Sequence, residues 1–300
     1  MFKAAAKQQL KARVALCGPT GSGKTWTGLQ WATVLADGGR ICVIDTENSS
    51  ASYYADRYQF DVYDFQPPYD PTRLVEVIKA AETEGYAVVL IDSLSHFWEG
   101  EGGTLDIADN AGQRNGGNSF AGWKVATPAL RHLIDSIRGS RAHVIATMRS
   151  KMEYVLEVGK NGKTTPRRIG MAPVMRAGVE YEFTAVGDMD LEHRLMVTKS
   201  RCEAIADMVA QPGRAGEIAE AFKTWLESGE ALADRASVEN LVAAFDVIAN
   251  EGDRKKAKAE FVAEFGKPDQ ITATRYDDAA KWIDSYFSVI VPTKDNGALL

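Results

Sequence analysis

Apolar runs of strand length recur through the first half of the chain, at 13–17 ("RVALC"), 40–45 ("RICVID"), 61–65, 86–91 ("YAVVLI") and 142–147 ("AHVIAT"). Helical patterns fill the intervals between the first and second runs, the third and fourth, and the fourth and fifth. Alternation of this kind predicts an α/β fold with a largely parallel sheet wrapped by helices. Residues 98–119, rich in Gly, Asn and Asp, lack periodic apolar positions and read as a long loop with at most one short helix. Residues 153–170 read as a β-hairpin turning at Asn161-Gly162, where both residues tolerate positive φ. Two further alternating runs, "YEFTAVGDM" and "HRLMVTKS", predict antiparallel strands added at the sheet edge.

The pattern changes near residue 206, after which helices are predicted at roughly 214–228, 235–250, 252–266 and 272–288, punctuated by Gly229, Gly252, Gly266 and Pro268. The expected organisation is an α/β core over 1–205 and a small all-helical region over 206–300. Residues 203–300 hold 11 Lys or Arg against 18 Asp or Glu, a net of −7, whereas the whole chain of 300 residues carries −6. The acidity therefore belongs to the helical region, and the core is close to neutral. Phe265-Gly266, Thr272 as an N-cap, and Tyr276, Ala279, Ala280 and Ile283 on one helical face suggest a helical hairpin that docks a partner or DNA.

Cys17, Cys42 and Cys202 show no paired spacing and no His companions, so neither a disulfide nor a zinc site is expected. No apolar stretch reaches membrane-spanning length and no leader is evident at Met1. These features predict a cytoplasmic protein with no membrane partner.

The chemistry begins at 18–28, "GPTGSGKTWTG", a glycine loop that follows a strand and opens a helix. Gly18, Pro19, Thr20, Gly21, Ser22 and Gly23 would wrap around phosphates, with backbone N–H groups from all of them but Pro19, and Lys24 would reach the β and γ oxygens. The Thr25 hydroxyl would ligate Mg2+, and Trp26 follows at the mouth of the site. A second element, "AVVLIDSLS" at 87–95, ends an apolar strand in Asp92, placed to hold a magnesium-bound water beside Thr25. In a third, "ICVIDTENS", the strand ends in Asp45 and Glu47; a carboxylate there faces the terminal phosphate and can deprotonate an attacking water. A nucleoside triphosphate and Mg2+ are the expected cofactors.

In order and spacing, "GPTGSGKT", "IDTE" and "IDSL" resemble the RecA-like ATPase core. The resemblance implies ATP as the nucleotide, Glu47 as catalytic base and Asp92 as the magnesium-site residue, with a γ-phosphate sensor at the end of the next strand. That strand end reads "ATMRS" rather than carrying the usual glutamine, leaving Thr147, Arg149 or Ser150 for the role. "VTKSR" places Lys199 and Arg201 where RecA-like assemblies carry a Lys-x-Arg pair that reaches a neighbour's γ-phosphate, which implies a homo-oligomer with shared active sites. Residues 10–205, through "IDTENSSASYYAD", "IDSLSHFWEGEGG", "NSFAGWKVATP", "VIATMRSKMEYVLE" and "GMAPVMRAGVEYEF", resemble a phage group of short AAA-type nucleotide-binding ATPases implicated in recombination and single-strand annealing.

In the RecA architecture, the loops after the Asp92 strand and after the strand that follows it grip single-stranded DNA. Here the second of these loops, 149–176, carries seven Lys or Arg, among them Lys151, Lys160, Lys163, Arg167 and Arg168, against Glu153 and Glu157. Tyr154 could stack on a base; Phe97, Trp98 and Trp123 read as core and His96 as structural. The leading expectation is a DNA-stimulated ATPase of recombination or annealing, working as a ring or filament. A replication-accessory or helicase-loading switch that docks a single-strand-binding or replication protein stands as the alternative. A metabolite phosphotransferase would give Glu47 and the Lys-x-Arg pair nothing to do.

Overall fold

A computed structural model describes residues 7–158, 164–248 and 250–290. Its elements run β1 (Arg13–Gly18), α1 (Lys24–Ala36), β2 (Ile41–Asp45), β3 (Asp61–Asp64), α2 (Pro71–Thr83), β4 (Val88–Asp92), α3 (His96–Glu99), α4 (Thr104–Arg114), α5 (Ser119–Gly139), β5 (His143–Val158) and β6 (Thr164–Pro173). They continue with β7 (Ala185–Met189), β8 (Leu195–Ser200), β9 (Val209–Ala210), α6 (Ala215–Glu227), α7 (Arg235–Asp246), α8 (Glu251–Phe265) and α9 (Ala273–Ile290).

One sheet carries the architecture, in the order β3-β2-β4-β5-β1-β7-β8-β9, with β6 paired to the outer half of β5. β3, β2, β4, β5, β1 and β7 are parallel neighbours, while β8 and β9 are antiparallel. This is the expected α/β arrangement, a mostly parallel sheet with antiparallel strands at one edge. Every residue of β1, β2 and β4 is buried, because helices cover both faces of a parallel sheet and such strands must be apolar on both sides. One core cluster gathers Ile44, Phe65, Leu74, Ile78, Ile91, Phe97, Leu133, Val144 and Met148.

Two sequence expectations change. β7 is not an antiparallel addition: it pairs parallel with β1, from Val14↔Ala185 to Cys17↔Asp188, and the antiparallel edge begins only at β8. Alternation reveals a half-buried strand but not its direction. The loop expected over 98–119 contains an 11-residue helix, α4. Its buried face is Thr104, Ala108 and Gly112, one residue per turn, and α5 lies so close that a Cβ on Gly122 would come within 2.1 Å of the Ala108 carbonyl oxygen. Small residues let two helix backbones meet, and they leave no apolar stripe for sequence to display.

The chain divides into two compact units, Lys11–Trp225 and Met1–Leu10 together with Leu226–Leu300. The sequence-based division into 1–205 and 206–300 differs from this one by β9 and most of α6, which go with the larger unit, and by residues 1–10, which go with the smaller. α6 lies with the larger unit because Phe222, fully buried, packs against Trp31 of α1 at 5.7 Å between ring centroids. In the smaller unit, α7, α8 and α9 enclose Leu241, Phe245, Phe261 and Ile283, and Gln9 N–H donates to the Glu230 carbonyl.

Candidate nucleotide site

β1 delivers the chain into the glycine loop, and the loop cannot be built from other residues. Gly21 and Gly23 hold φ of +81° and +86°, the left-handed region that side chains disfavour. A Cβ on Gly18 would lie 2.6 Å from Ser22 Oγ and 2.8 Å from the Met189 carbonyl oxygen. Ser22 Oγ is buried without a hydrogen-bond partner among the described residues. The Lys24 ammonium donates to the carbonyls of Gly18 (3.0 Å) and Pro19 (2.9 Å). Burial lowers its pKa, while Asp92 and Glu47 hold it up.

Asp92, at the end of β4, is buried and fully engaged. Thr25 Oγ1 of α1 donates to one of its carboxylate oxygens at 2.6 Å, and Thr147 Oγ1 of β5 to the other at 2.5 Å. Burial raises its pKa against those two hydroxyl donors. A divalent cation beside it would favour the anion.

Glu47, two residues beyond β2, is held by Arg149 of β5. The guanidinium donates from Nε (3.1 Å) and Nη2 (2.8 Å) to Oε1 and from Nη2 (2.7 Å) to Oε2, with Ser93 Oγ adding a contact at 3.2 Å. Burial pushes the Glu47 carboxyl up, but Arg149 outweighs it and holds the group below its ordinary value. Asp45, buried, accepts from the N–H groups of Glu47 (2.6 Å) and Ala51 (2.9 Å) and so fixes the turn that presents Glu47.

The fold brings Lys24, Thr25, Asp92 and Glu47 around one space, and among the three sensor candidates it is Arg149 whose side chain reaches Glu47. Thr147 instead anchors Asp92. His96, read from sequence as structural, completes the cluster: Nδ1 lies 2.7 Å from Thr46 Oγ1, Nε2 lies 4.0 Å from Glu47, and the ring stacks on Tyr69. Burial and Arg149 lower its pKa. No spacing rule could have linked these residues, since Glu47 and Arg149 stand 102 positions apart.

Lys199 and Arg201 lie elsewhere. β8 runs antiparallel to β7, with Leu195 opposite Met189 and Lys199 opposite Val186, so its end points away from the phosphate loop of its own chain. There the Lys199 ammonium donates to the carbonyls of Glu180 (3.0 Å), Tyr181 (3.1 Å) and Phe183, whereas Arg201 is exposed. Of the basic hairpin residues, Lys151 is exposed on β5. The strand register sets Arg168 opposite Tyr154 and Arg167 opposite Val155. Lys160, Lys163 and the Asn161-Gly162 turn lie outside the described residues.

The residues fit a magnesium nucleoside triphosphate: a glycine loop with no room for a Cβ at Gly18 and left-handed backbone at Gly21 and Gly23, a lysine whose ammonium is held by carbonyls, and a hydroxyl–carboxylate pair of hard oxygen donors suited to Mg2+. Among the described residues no helix is long and apolar enough to cross a membrane, and no group of three or more His, Cys, Asp or Glu is placed to hold a metal on its own.

A family model described as "AAA domain" matches residues 10–208. Among solved structures, the crystal structure of the RadB recombinase is 16% identical over 67% of this chain and 87% of that chain, with a TM-score of 0.39. No curated protein matches the chain.

Proposed function

This chain belongs to the AAA domain family, and we propose that it is a magnesium-dependent ATPase of phage-type DNA recombination or strand annealing, acting as a homo-oligomer on single-stranded DNA. The observation that carries the hydrolytic part is the pairing around one space of Thr25 with Asp92 and of Glu47 with Arg149. A kinase of small metabolites has no use for the second pair.

The chain's own groups divide the work. Lys24, held by two neutral carbonyls, gains stronger acceptors when phosphate oxygens replace them. Thr25 and Asp92 would hold Mg2+, which neutralises charge on the β and γ phosphates. Glu47 orients water and takes its proton as the water attacks the terminal phosphorus. While Arg149 grips both carboxylate oxygens Glu47 is a weak base, and a γ-phosphate offers that guanidinium a competing bidentate partner. Arg149 is thus the γ-phosphate sensor, and its transfer from carboxylate to phosphate frees the base when substrate is present.

The DNA reading rests on charge. The segment 149–176 is strongly basic on an acidic protein, and it continues the strand that carries Arg149. Lys199 and Arg201 lie at the far end of the sheet from their own glycine loop, so any contact with a γ-phosphate is made in a neighbouring subunit.

Mixing Arg201→Ala subunits with Glu47→Gln subunits tests both the hydrolytic and the oligomeric parts. Each variant alone is inactive, and the mixture recovers activity because some interfaces combine an intact Glu47 with an intact Arg201. A mixture as inactive as its components rules out the shared site. Single-stranded DNA raises the turnover of the unaltered protein at low salt, and turnover indifferent to DNA together with no binding removes the DNA assignment.

A further inference from the structure

The sheet order gives the bound triphosphate a direction. Glu47, Asp92 and Arg149 come from β2, β4 and β5, all on one side of β1, so the terminal phosphate faces that side. The nucleoside end must then leave the loop on the other side, toward β7 and β8.

The turn joining those two strands is built to hold one ring in place. His193 sits at φ +61°, in the left-handed region that a non-glycine residue rarely adopts. Asp190 enforces the conformation. Its carbonyl accepts from His193 N–H at 3.1 Å, and its carboxylate accepts from Arg194 N–H at 2.9 Å and Arg194 Nε at 2.7 Å. The result lays the imidazole on the phosphate loop, where a Cβ on Gly23 would stand 3.3 Å from His193 Nδ1. The residue is exposed, and its ring takes no hydrogen bond among the described residues.

Trp26, three residues beyond Gly23 on the first turn of α1, is fixed from two directions. Its Nε1–H donates to the Tyr58 hydroxyl at 3.0 Å, and its ring edge lies against Gly213, where a Cβ would stand 3.3 Å from Cη2. The register Leu195↔Ala210 brings the 211–214 segment alongside the His193 turn. An exposed imidazole and a half-buried indole thus both border the glycine loop at its nucleoside end.

We propose that His193 is the base contact of this site: the heteroaromatic base of the nucleotide stacks on the imidazole, with Trp26 as the other boundary. The inference rests on the triphosphate reading above and adds to it the residue that distinguishes a nucleotide from a bare polyphosphate. A turn that needed only a left-handed residue would be served as well by Gly or Asn; the ring is what His193 contributes.

The test compares the affinities of ATP and inorganic tripolyphosphate, each with Mg2+, for the full chain and for His193→Asn, His193→Phe and Lys24→Ala. Asn tolerates the left-handed backbone and removes the ring, so His193→Asn loses roughly tenfold or more in ATP affinity, the scale of one base–aromatic stack. Tripolyphosphate affinity stays unchanged, which also shows that the loop is intact, and His193→Phe retains ATP binding. The inference is overturned if His193→Asn leaves ATP affinity unaltered, if it weakens both ligands equally, or if His193→Phe is as weak as His193→Asn. Failure of the triphosphate reading looks different: the unaltered protein binds neither ligand, or Lys24→Ala weakens neither, and the inference then falls with it.

Discussion

The two ends of the parallel sheet differ in what their buried polar groups hold. At the carboxyl end, side chains bond one another: Thr25 and Thr147 to Asp92, Arg149 and Ser93 to Glu47, His96 to Thr46. At the amino end, the Arg40, Asp61 and Tyr86 side chains bond one another in an exposed cluster, but the buried groups bond the backbone. The buried Arg13 guanidinium donates to the carbonyls of Ala12, Ala142, Arg138 and Ser140, and its pKa is pushed down to about 10 by burial. Lys199 holds the carbonyls that precede β7, and His143 accepts the Ala12 N–H at 3.0 Å. The buried Arg13 has no exchange of partners open to it, so its bonds serve stability, whereas the partners at the carboxyl end, the Lys24 carbonyls included, are ones that a ligand's atoms can replace.

The sharpest way to break that comparison is Glu47→Gln. It should lower ATP turnover by about 10²- to 10⁴-fold, the usual worth of a general base, while leaving nucleotide affinity near that of the unaltered protein. Turnover unchanged within a factor of a few would withdraw the carboxylate from the reaction. Arg13→Met should do the reverse, costing about 3 kcal/mol in urea unfolding because four backbone carbonyls lose a charged donor, with Michaelis constants for ATP unaltered. A variant with full stability and altered kinetics would erase the division between the two ends.

Arg149→Met sharpens the picture at the carboxyl end. In the free protein Arg149 holds the Glu47 carboxyl below its ordinary value, so its loss should move the acid limb of the kcat/KM profile to higher pH. An unmoved limb would mean that Glu47 is not the group titrating. The Glu47 interaction also stabilises the fold at neutral pH; that contribution is lost as pH falls from the unfolded carboxylate value through the lower folded one, and Arg149→Met should flatten this part of the stability profile.

The smallest effect is expected at His143, whose pKa burial pushes down to about 3, with Lys11 and Arg13 adding to the shift. The folded chain keeps the ring neutral while the unfolded chain protonates it near the ordinary value of about 6.5. Its stabilisation is therefore complete above that value and falls away as pH drops toward the folded one. His143→Gln should lessen the acid sensitivity of the urea midpoint in that window and leave it little changed at pH 8. Equal acid sensitivity in the two proteins would exclude His143 as a source.

Sequence showed most of the scaffold because buried parallel strands and amphipathic helices write their environment into hydrophobic periodicity. β1, β2, β4 and the helices α6 through α9 all fell near their expected places. α4 was hidden because its packing face is made of small residues, and the direction of β7 was hidden because pairing partners lie far apart in the chain. The same limit governed the site. The glycine loop, Glu47 and Asp92 are local motifs and were legible, but Arg149 on Glu47, Thr147 on Asp92 and His193 on Gly23 are products of sheet order. A sequence displays which reactive groups exist; the order of strands decides which of them meet.

β5 is a single strand of 16 residues that leaves the central sheet and becomes one arm of the β5–β6 hairpin. Thr147, Arg149 and Lys151 alternate along it on one face, from the anchor of Asp92, through the clasp on Glu47, to the exposed base of the arm. One uninterrupted backbone therefore joins the residue that clasps Glu47 to the base of the arm two positions later, and the register of the hairpin shifts only beyond it, between Glu153 and Tyr154.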